Sequence, residues 1–270
     1  MKLRTLLAVG AVGMASAAFA TGTTTSANTY GIFALPDTTS PDLMISVPWV
    51  DCADVSQNTL VSNVVKTTNL AAGDYLILKD GATYNSWVLT GTAPDLHWTA
   101  QVVATSDAGV TTSADATGKR VARGMSLWLH RADPANSSPI YLFGQYSAEA
   151  VTTTITAGST TMIANPGTED LKVTLLRNGG TYTKFTSGSP ANGDKVMVNT
   201  ASGYKTYTYN GSAWTKKVTV TPSGLPNLPG VGEGQTPSVT QSAAVTDDDF
   251  IPAGKGFWYQ SKTGYGTITW

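Results

Sequence analysis

Short runs of alternating apolar and polar residues make up much of this chain, and turn residues separate them. In 202–220, Tyr207 and Tyr209 fall on one face of a predicted strand, and the Asn-Gly pair that follows is a strong hairpin signal. Trp214 begins a returning strand with the same alternation. This period of two predicts β-strands joined by tight turns.

Composition supports the same prediction. Glu occurs three times in the whole chain, whereas β-branched and aromatic residues are frequent. One stretch departs from the alternation: within 57–66 the apolar residues recur at helical spacing, so we expect a short helix there.

A series of segments occurs twice along the chain, in the same order. The matching segments are "LMISVPW" (43–49) with "TMIANPG" (161–167), "GDYLIL" (73–78) with "GDKVMV" (193–198), and "VARGMSLWLH" (121–130) with "IPAGKGFWYQ" (251–260). In each half a Gly-Asp turn precedes a predicted buried strand. Repetition over most of the chain indicates that one supersecondary unit has been duplicated.

The predicted fold is therefore all-β, with two tandem repeats from a duplicated domain. Each repeat is expected to be an antiparallel β-sandwich or barrel-like sheet. We place a signal peptide at 1–20, the first repeat at 21–147 and the second at 148–270.

The segment "IPAGKGFWYQ" invites comparison with a phosphate-binding loop because it contains Gly-Lys-Gly. It lacks the G-x-x-x-x-G-K-[ST] pattern and a following helix. We predict a turn and a core strand, with Phe257 and Tyr259 on one face and Trp258 on the other.

Residues 1–20 have the features of a secretory signal peptide. Lys2 and Arg4 precede a short apolar stretch, and "AFA" at 18–20 is a small-residue cleavage site. We expect export to the periplasm, the cell surface or the extracellular space. No later run reaches the length of a membrane helix, so no transmembrane helix is expected.

The end of the chain has one feature of outer-membrane strands, because it finishes on an aromatic residue, Trp270. Gly264 and Gly266 interrupt the alternation that such a strand needs, and the repeat favours a different fold.

Charge and cysteine content narrow the class of partner. Only 13% of residues are charged and the formal net charge is −1, which argues against nucleic acid or an anionic membrane as partner. Cys52 is the single cysteine, so no internal disulfide forms; a buried small hydrophobe is favoured over a reactive thiol.

Catalytic and cofactor motifs are weak. His97 and His130 lack the spacing of zinc ligands, and Ser126 lies too far from His130 along one strand to share a proton. "GVGEG" (230–234) has no strand before it and no helix after it. We expect no cofactor and no metal, and we predict that the chain is not an enzyme.

Carboxylates leave two alternatives open. Asp247-Asp248-Asp249 is either a calcium site or, as we favour, a solvated charge run at a strand edge. A glycoside hydrolase would need two facing carboxylates, and no pair stands out in the sequence.

Aromatic residues on or beside the predicted hairpins are the candidate ligand-binding residues. They are Trp87, Trp98, Tyr207 and Trp214. Exposed, they would stack on the apolar faces of sugar rings; buried, they would fill a small β core, which is the commoner role.

The repeated motifs resemble those of a group of secreted bacterial proteins built from two tandem β repeats, for which no activity is known. The shared features are the "VPW" or "IANP" strand, the Gly-Asp strand, and the closing "PAGKGFW" strand at 252–258. The resemblance implies a fold and export, and it implies no site.

From these observations we predict an exported, non-enzymatic protein with a structural or adhesive role, whose partner is a polysaccharide or other copies of itself. The alternative is a carbohydrate-binding module that uses the hairpin tryptophans. A hydrolase is the third hypothesis.

Overall fold

The chain folds into antiparallel β-sheets, and a computed structural model describes most of it. The described residues are 30–35, 40–51, 59–60, 64–65, 67–80, 83–103, 110–112, 120–133, 135–145, 147, 149–167, 169–200, 203–220 and 239–270. The expected signal peptide, Cys52 and "GVGEG" lie outside these residues.

Twenty-one strands and one short 3-10 helix are described. In the N-terminal half the strands are β1 (Tyr30–Ala34), β2 (Asp42–Ser46), β3 (Thr59–Leu60), β4 (Tyr75–Asp80), β5 (Thr83–Thr90), β6 (His97–Val103), β7 (Val110–Thr112), β8 (Arg120–Val121), β9 (Ser126–His130) and β10 (Tyr141–Gln145). In the C-terminal half they are β11 (Thr152–Ile155), β12 (Thr160–Ala164), β13 (Leu171–Lys172), β14 (Phe185–Ser189), β15 (Lys195–Thr200), β16 (Gly203–Tyr209), β17 (Trp214–Val220), β18 (Val239–Ala244), β19 (Phe250–Ile251), β20 (Gly256–Gln260) and β21 (Tyr265–Thr269), with the 3-10 helix at Val173–Leu175. The all-β prediction is confirmed.

Two six-stranded sheets dominate the fold. The N-terminal sheet has the order β2-β9-β4-β5-β6-β7, and the C-terminal sheet has the order β12-β20-β15-β16-β17-β18. Smaller sheets pair β1 with β10, β3 with β8, β13 with β19, and β21 with both β11 and β14. Position by position along the chain, the two six-stranded sheets have the same connectivity.

Each six-stranded sheet covers its own apolar core with one face. Ile45, Leu76 and Trp98 lie in the N-terminal core, and Ile163 and Val196 lie in the C-terminal core. Successive side chains of a strand point to opposite faces, so the alternation in the sequence places these residues inward.

The strand "GFWYQ" shows this alternation clearly. Phe257 and Tyr259 are buried in the C-terminal core, whereas Trp258 faces the opposite way. The prediction for the two faces of this strand is confirmed.

The expected helix at 57–66 is wrong at Thr59–Leu60, because these residues form a strand that pairs with β8. A pairing partner overrides local helical spacing.

The outer faces of the two sheets meet in a third apolar cluster. Met44, Met162 and Trp258 are buried there, and Trp128 and Met197 pack against them. The rings of Trp128 and Trp258 cross edge to face, with centroids 6.4 Å apart. This contact holds the two halves against each other.

Backbone hydrogen bonds reinforce the junction from both sides. The Ser46 N–H donates to the Gly254 carbonyl at 2.8 Å, and the Ala164 N–H donates to the Gly124 carbonyl at 3.3 Å. Each bond joins the end of an edge strand in one sheet to the turn that precedes the second strand of the other sheet.

A buried aspartate fixes the turn before β15. Asp194 accepts hydrogen bonds from the backbone N–H groups of Ala191 and Lys262, at 3.0 and 2.7 Å, and from the Tyr259 hydroxyl at 2.9 Å. Burial, and then the Asp194 carboxylate, raise the pKa of Tyr259 well above its ordinary value. Asp74 accepts two backbone N–H groups in the N-terminal half, which explains the repeated Gly-Asp pair.

Candidate functional site

A groove of about 710 Å³ opens where the two halves meet. That volume lies within the range of small-ligand sites. Its lining residues come from both halves and from the segment that joins them: Pro48, Trp49, Arg123, Glu149, Asn165, Pro166, Gly167, Glu169, Asp170, Leu171, Lys172, Leu175, Tyr182, Lys184 and Trp270.

Local interactions fix the groove wall on each side. On the C-terminal side, the buried Asn165 side chain donates to the carbonyls of Glu169 and Ile251, at 2.9 and 3.1 Å. On the N-terminal side, Gly144 lies against the Trp49 side chain, and a Cβ added there would lie 2.1 Å from the Trp49 Cβ. Any residue with a Cβ at position 144 would clash with Trp49, so this close packing requires glycine.

Three aromatic residues line the groove. Trp49 is largely buried, Trp270 is half-buried, and Tyr182 is 83% exposed. Trp270 packs edge to face on Phe257, with centroids 6.4 Å apart. The Nζ atom of Lys184 lies 5.3 Å from the centroid of the Trp270 ring, within the range of a cation–π contact.

Tyr182 also has an unusual backbone. Its φ is +64°, in the left-handed region, which costs a non-glycine residue about 1–2 kcal/mol. Such strain concentrates at ligand sites because the surrounding structure must maintain it. Here it accompanies an exposed aromatic ring at the edge of a groove.

Charges of both signs line the groove in equal number. The basic residues are Arg123, Lys172 and Lys184, and the acidic residues are Glu149, Glu169 and Asp170. Arg123 donates to the Glu149 carbonyl at 2.8 Å, and Lys172 pairs with Asp247 at 2.8 Å. Burial lowers the pKa of Lys184.

The four aromatic residues proposed from the sequence lie away from this groove. Trp87, Trp98, Tyr207 and Trp214 are each at most 3% exposed and belong to the two cores. The Trp214 Nε1 donates to the Leu176 carbonyl at 2.7 Å. None of these rings offers a face on which a sugar can stack.

The two histidines lie in separate polar clusters. His130 Nδ1 is 2.7 Å from Asp42 Oδ1, which also accepts a hydrogen bond from the Trp128 indole, and the Tyr75 ring stacks on the imidazole at 4.6 Å. Burial, and then Asp42, raise the pKa of Tyr75. His97 is exposed.

Ser126 does not act with His130. Its hydroxyl is buried and donates to the Ile45 carbonyl at 3.1 Å. The Ser126 side chain is therefore part of the junction between the halves. Its position agrees with the sequence argument against a Ser126–His130 dyad.

The acidic run at 247–249 is solvated in part, as we favoured: Asp247 and Asp248 are exposed, and only Asp249 is buried. Asp249 is 1% exposed, and its carboxylate contacts Lys205 at 2.9 Å and Lys216 at 2.7 Å. Asp247 pairs instead with Lys172. Within the described part of the chain, no three His, Cys, Asp or Glu residues converge to hold a metal ion.

Sequence reasoning missed the aromatic residues of the groove. Tyr182 carried a signal, because it lies in the polar, glycine-rich stretch "NGGTYTK", where an aromatic residue has no core to enter. Trp49 and Trp270 carried none, since they lie at opposite ends of the described chain and only the packing of the halves brings them to one groove.

No protein-family model, curated protein or solved structure matches this chain. Among the described residues, no helix is long and apolar enough to cross a membrane.

Proposed function

We propose that this is an exported, non-enzymatic adhesive protein of two duplicated β domains, which binds a glycan in the groove between them. The observation that carries the proposal is Tyr182, an exposed ring on a strained backbone at the edge of an aromatic-lined groove. Sugar rings have apolar faces that stack on aromatic side chains, and the groove offers such rings.

The charge balance of the groove favours a polyhydroxylated ligand. Hydroxyl groups both donate and accept hydrogen bonds, so they are matched by a wall that carries ammonium, guanidinium and carboxylate groups together. A strongly charged polymer such as nucleic acid would gain little from a groove with three positive and three negative side chains.

A binding role is favoured over hydrolysis by the exposure of the groove carboxylates. Glu149, Glu169 and Asp170 are all exposed. A glycosidase needs one carboxylic acid that keeps its proton near neutral pH, which is achieved by burial against apolar groups.

The matching strand orders of the two six-stranded sheets support duplication, with the boundary between Gln145 and Thr152.

The test is co-sedimentation of residues 21–270 with a panel of insoluble polysaccharides. We expect the protein to pellet with at least one of them, and Tyr182→Ala to abolish this without changing the melting temperature. Tyr265→Ala is the matched control, because Tyr265 is 67% exposed but does not line the groove.

Two results would contradict the proposal. If Tyr182→Ala and Tyr265→Ala pellet with the polysaccharide as wild type does, the groove is not the glycan site. If the protein sediments on its own as ordered assemblies and binds none of the polysaccharides, self-assembly is its role instead.

A further inference from the structure

Among the basic residues of the groove, Lys184 differs in its partners. Arg123 donates to a backbone carbonyl and Lys172 pairs with Asp247, so both are engaged. Across the described ranges, no carboxylate lies within ion-pair distance of Lys184, whose Nζ instead lies over the Trp270 ring.

The backbone of Lys184 is held on both sides, so its side chain starts from a fixed place. Its N–H donates to the Leu175 carbonyl at 2.8 Å, and its carbonyl accepts the Thr269 N–H at 2.9 Å. Leu175 and Trp270, which follows Thr269, both line the groove. The backbone of Lys184 therefore has a fixed place in the groove wall, and its ammonium group lies 5.3 Å from the centroid of the Trp270 ring.

We propose that the glycan held in this groove carries a carboxylate or sulfate group, and that the Lys184 ammonium receives it. This inference rests on the proposed glycan site. An ammonium that is half-buried without a counter-charge loses hydration and gains no ion pair. A ligand anion supplies that missing charge.

The rest of the groove limits how acidic the ligand is. Glu149, Glu169 and Asp170 repel an anion, so a densely sulfated polymer is disfavoured. A largely neutral chain with a single acidic group, placed at Lys184, fits the arrangement. Burial lowers the pKa of Lys184 with no acidic group to offset it, which agrees with an ammonium that lacks an anion.

Calorimetry with three oligosaccharides of equal length tests the inference. The probes are a neutral galactose tetramer, the same tetramer with a single galacturonic acid residue in place of one galactose, and the same tetramer with a single sulfate group. We expect wild-type residues 21–270 to bind one or both acidic tetramers about tenfold more tightly than the neutral one. The better acidic probe distinguishes carboxylate from sulfate.

Two Lys184 variants separate charge from size. Lys184→Gln should bind the acidic and neutral tetramers equally, and Lys184→Arg should keep the preference. Lys195→Gln is the control, since Lys195 is exposed on β15 and does not line the groove. Melting temperatures show whether each variant is folded.

The outcomes separate failure of the proposed role of Lys184 from failure of the proposed glycan site. If the wild type binds all three tetramers equally and Tyr182→Ala weakens all of them, the groove binds glycans and the role of Lys184 is wrong. That role is also wrong if Lys184→Gln keeps the acidic preference. If no tetramer and no polysaccharide binds, both proposals fail together.

Discussion

Ser126 and Gly256 take matching places in the two six-stranded sheets, and they touch each other where the halves meet. Ser126 pairs with Ser46 at the start of β9, and Gly256 pairs with Ala164 at the start of β20. A Cβ added at Gly256 would lie 1.8 Å from the Ser126 hydroxyl oxygen and 2.8 Å from its Cβ. Only one of the two positions has room for a side chain.

Exchanging these two residues tests this relationship. Gly256→Ser alone should lower the free energy of unfolding by about 1–3 kcal/mol, because it overpacks the junction. The double variant Ser126→Gly with Gly256→Ser should recover most of that loss, since the hydroxyl then lies on the other half. Urea denaturation measures both. A double variant as unstable as Gly256→Ser would contradict the arrangement.

Asp249 should give the protein a defined acid sensitivity. Burial alone would raise its pKa, but hydrogen bonds from Lys216, Thr246 and Lys205 outweigh burial and hold the pKa far below its usual range. The stabilisation is therefore complete above the unfolded pKa of about 4 and is lost as the pH falls below that value.

Asp249→Asn should cost about 3 kcal/mol at pH 7, because two lysines lose their buried partner. The difference from wild type should shrink as the pH is lowered from about 4 towards 2. Asp247→Asn is the control, since the Lys172–Asp247 pair is exposed and contributes about 0–1 kcal/mol. Chemical denaturation across this pH range provides the comparison; a constant difference would refute the assignment.

Local alternation predicted the strands well because it reports which residues share a face. The hairpin at the Asn-Gly pair forms, with Tyr209 opposite Trp214. The loop is longer than the two-residue turn such a pair favours, because the Asn210 side chain accepts the N–H groups of Ser212 and Ala213. Side-chain capping of this kind competes with the tight turn and is not visible in the pattern.

The groove could not be predicted from alternation, because a period of two gives the face of a strand but not what covers that face. Trp98 and Trp258 both lie on strands, yet one enters a core and the other joins the contact between the sheets. That difference follows from how the halves pack, as does the presence of Trp49 and Trp270 in one groove.

Substitutions of the aromatic residues should therefore divide into two classes. Trp98→Ala and Trp214→Ala should each lower the free energy of unfolding by about 3–5 kcal/mol, since each leaves a large cavity in a core. Tyr182→Ala should change it by less than about 0.5 kcal/mol. Guanidinium denaturation of the three variants checks this. A marginal effect of Trp98→Ala would mean that its ring is not packed in the core.

Trp258 should determine whether the two halves unfold together. Its ring joins the contact with Trp128 and belongs to neither of the two main cores. Removing it in Trp258→Ala weakens the junction and leaves both cores complete. We expect the wild type to melt in a single thermal transition and Trp258→Ala to melt in two, with the ratio of van't Hoff to calorimetric enthalpy falling below one.

Scanning calorimetry distinguishes this effect from general destabilisation. Trp214→Ala is the control, because it removes the same side chain from the C-terminal core and leaves the junction intact, so the protein should still melt in one transition at a lower temperature. If Trp258→Ala melts in one transition with an unchanged enthalpy ratio, the backbone bonds from Ser46 and Ala164 suffice to couple the halves. The tryptophan cluster would then contribute stability without setting cooperativity.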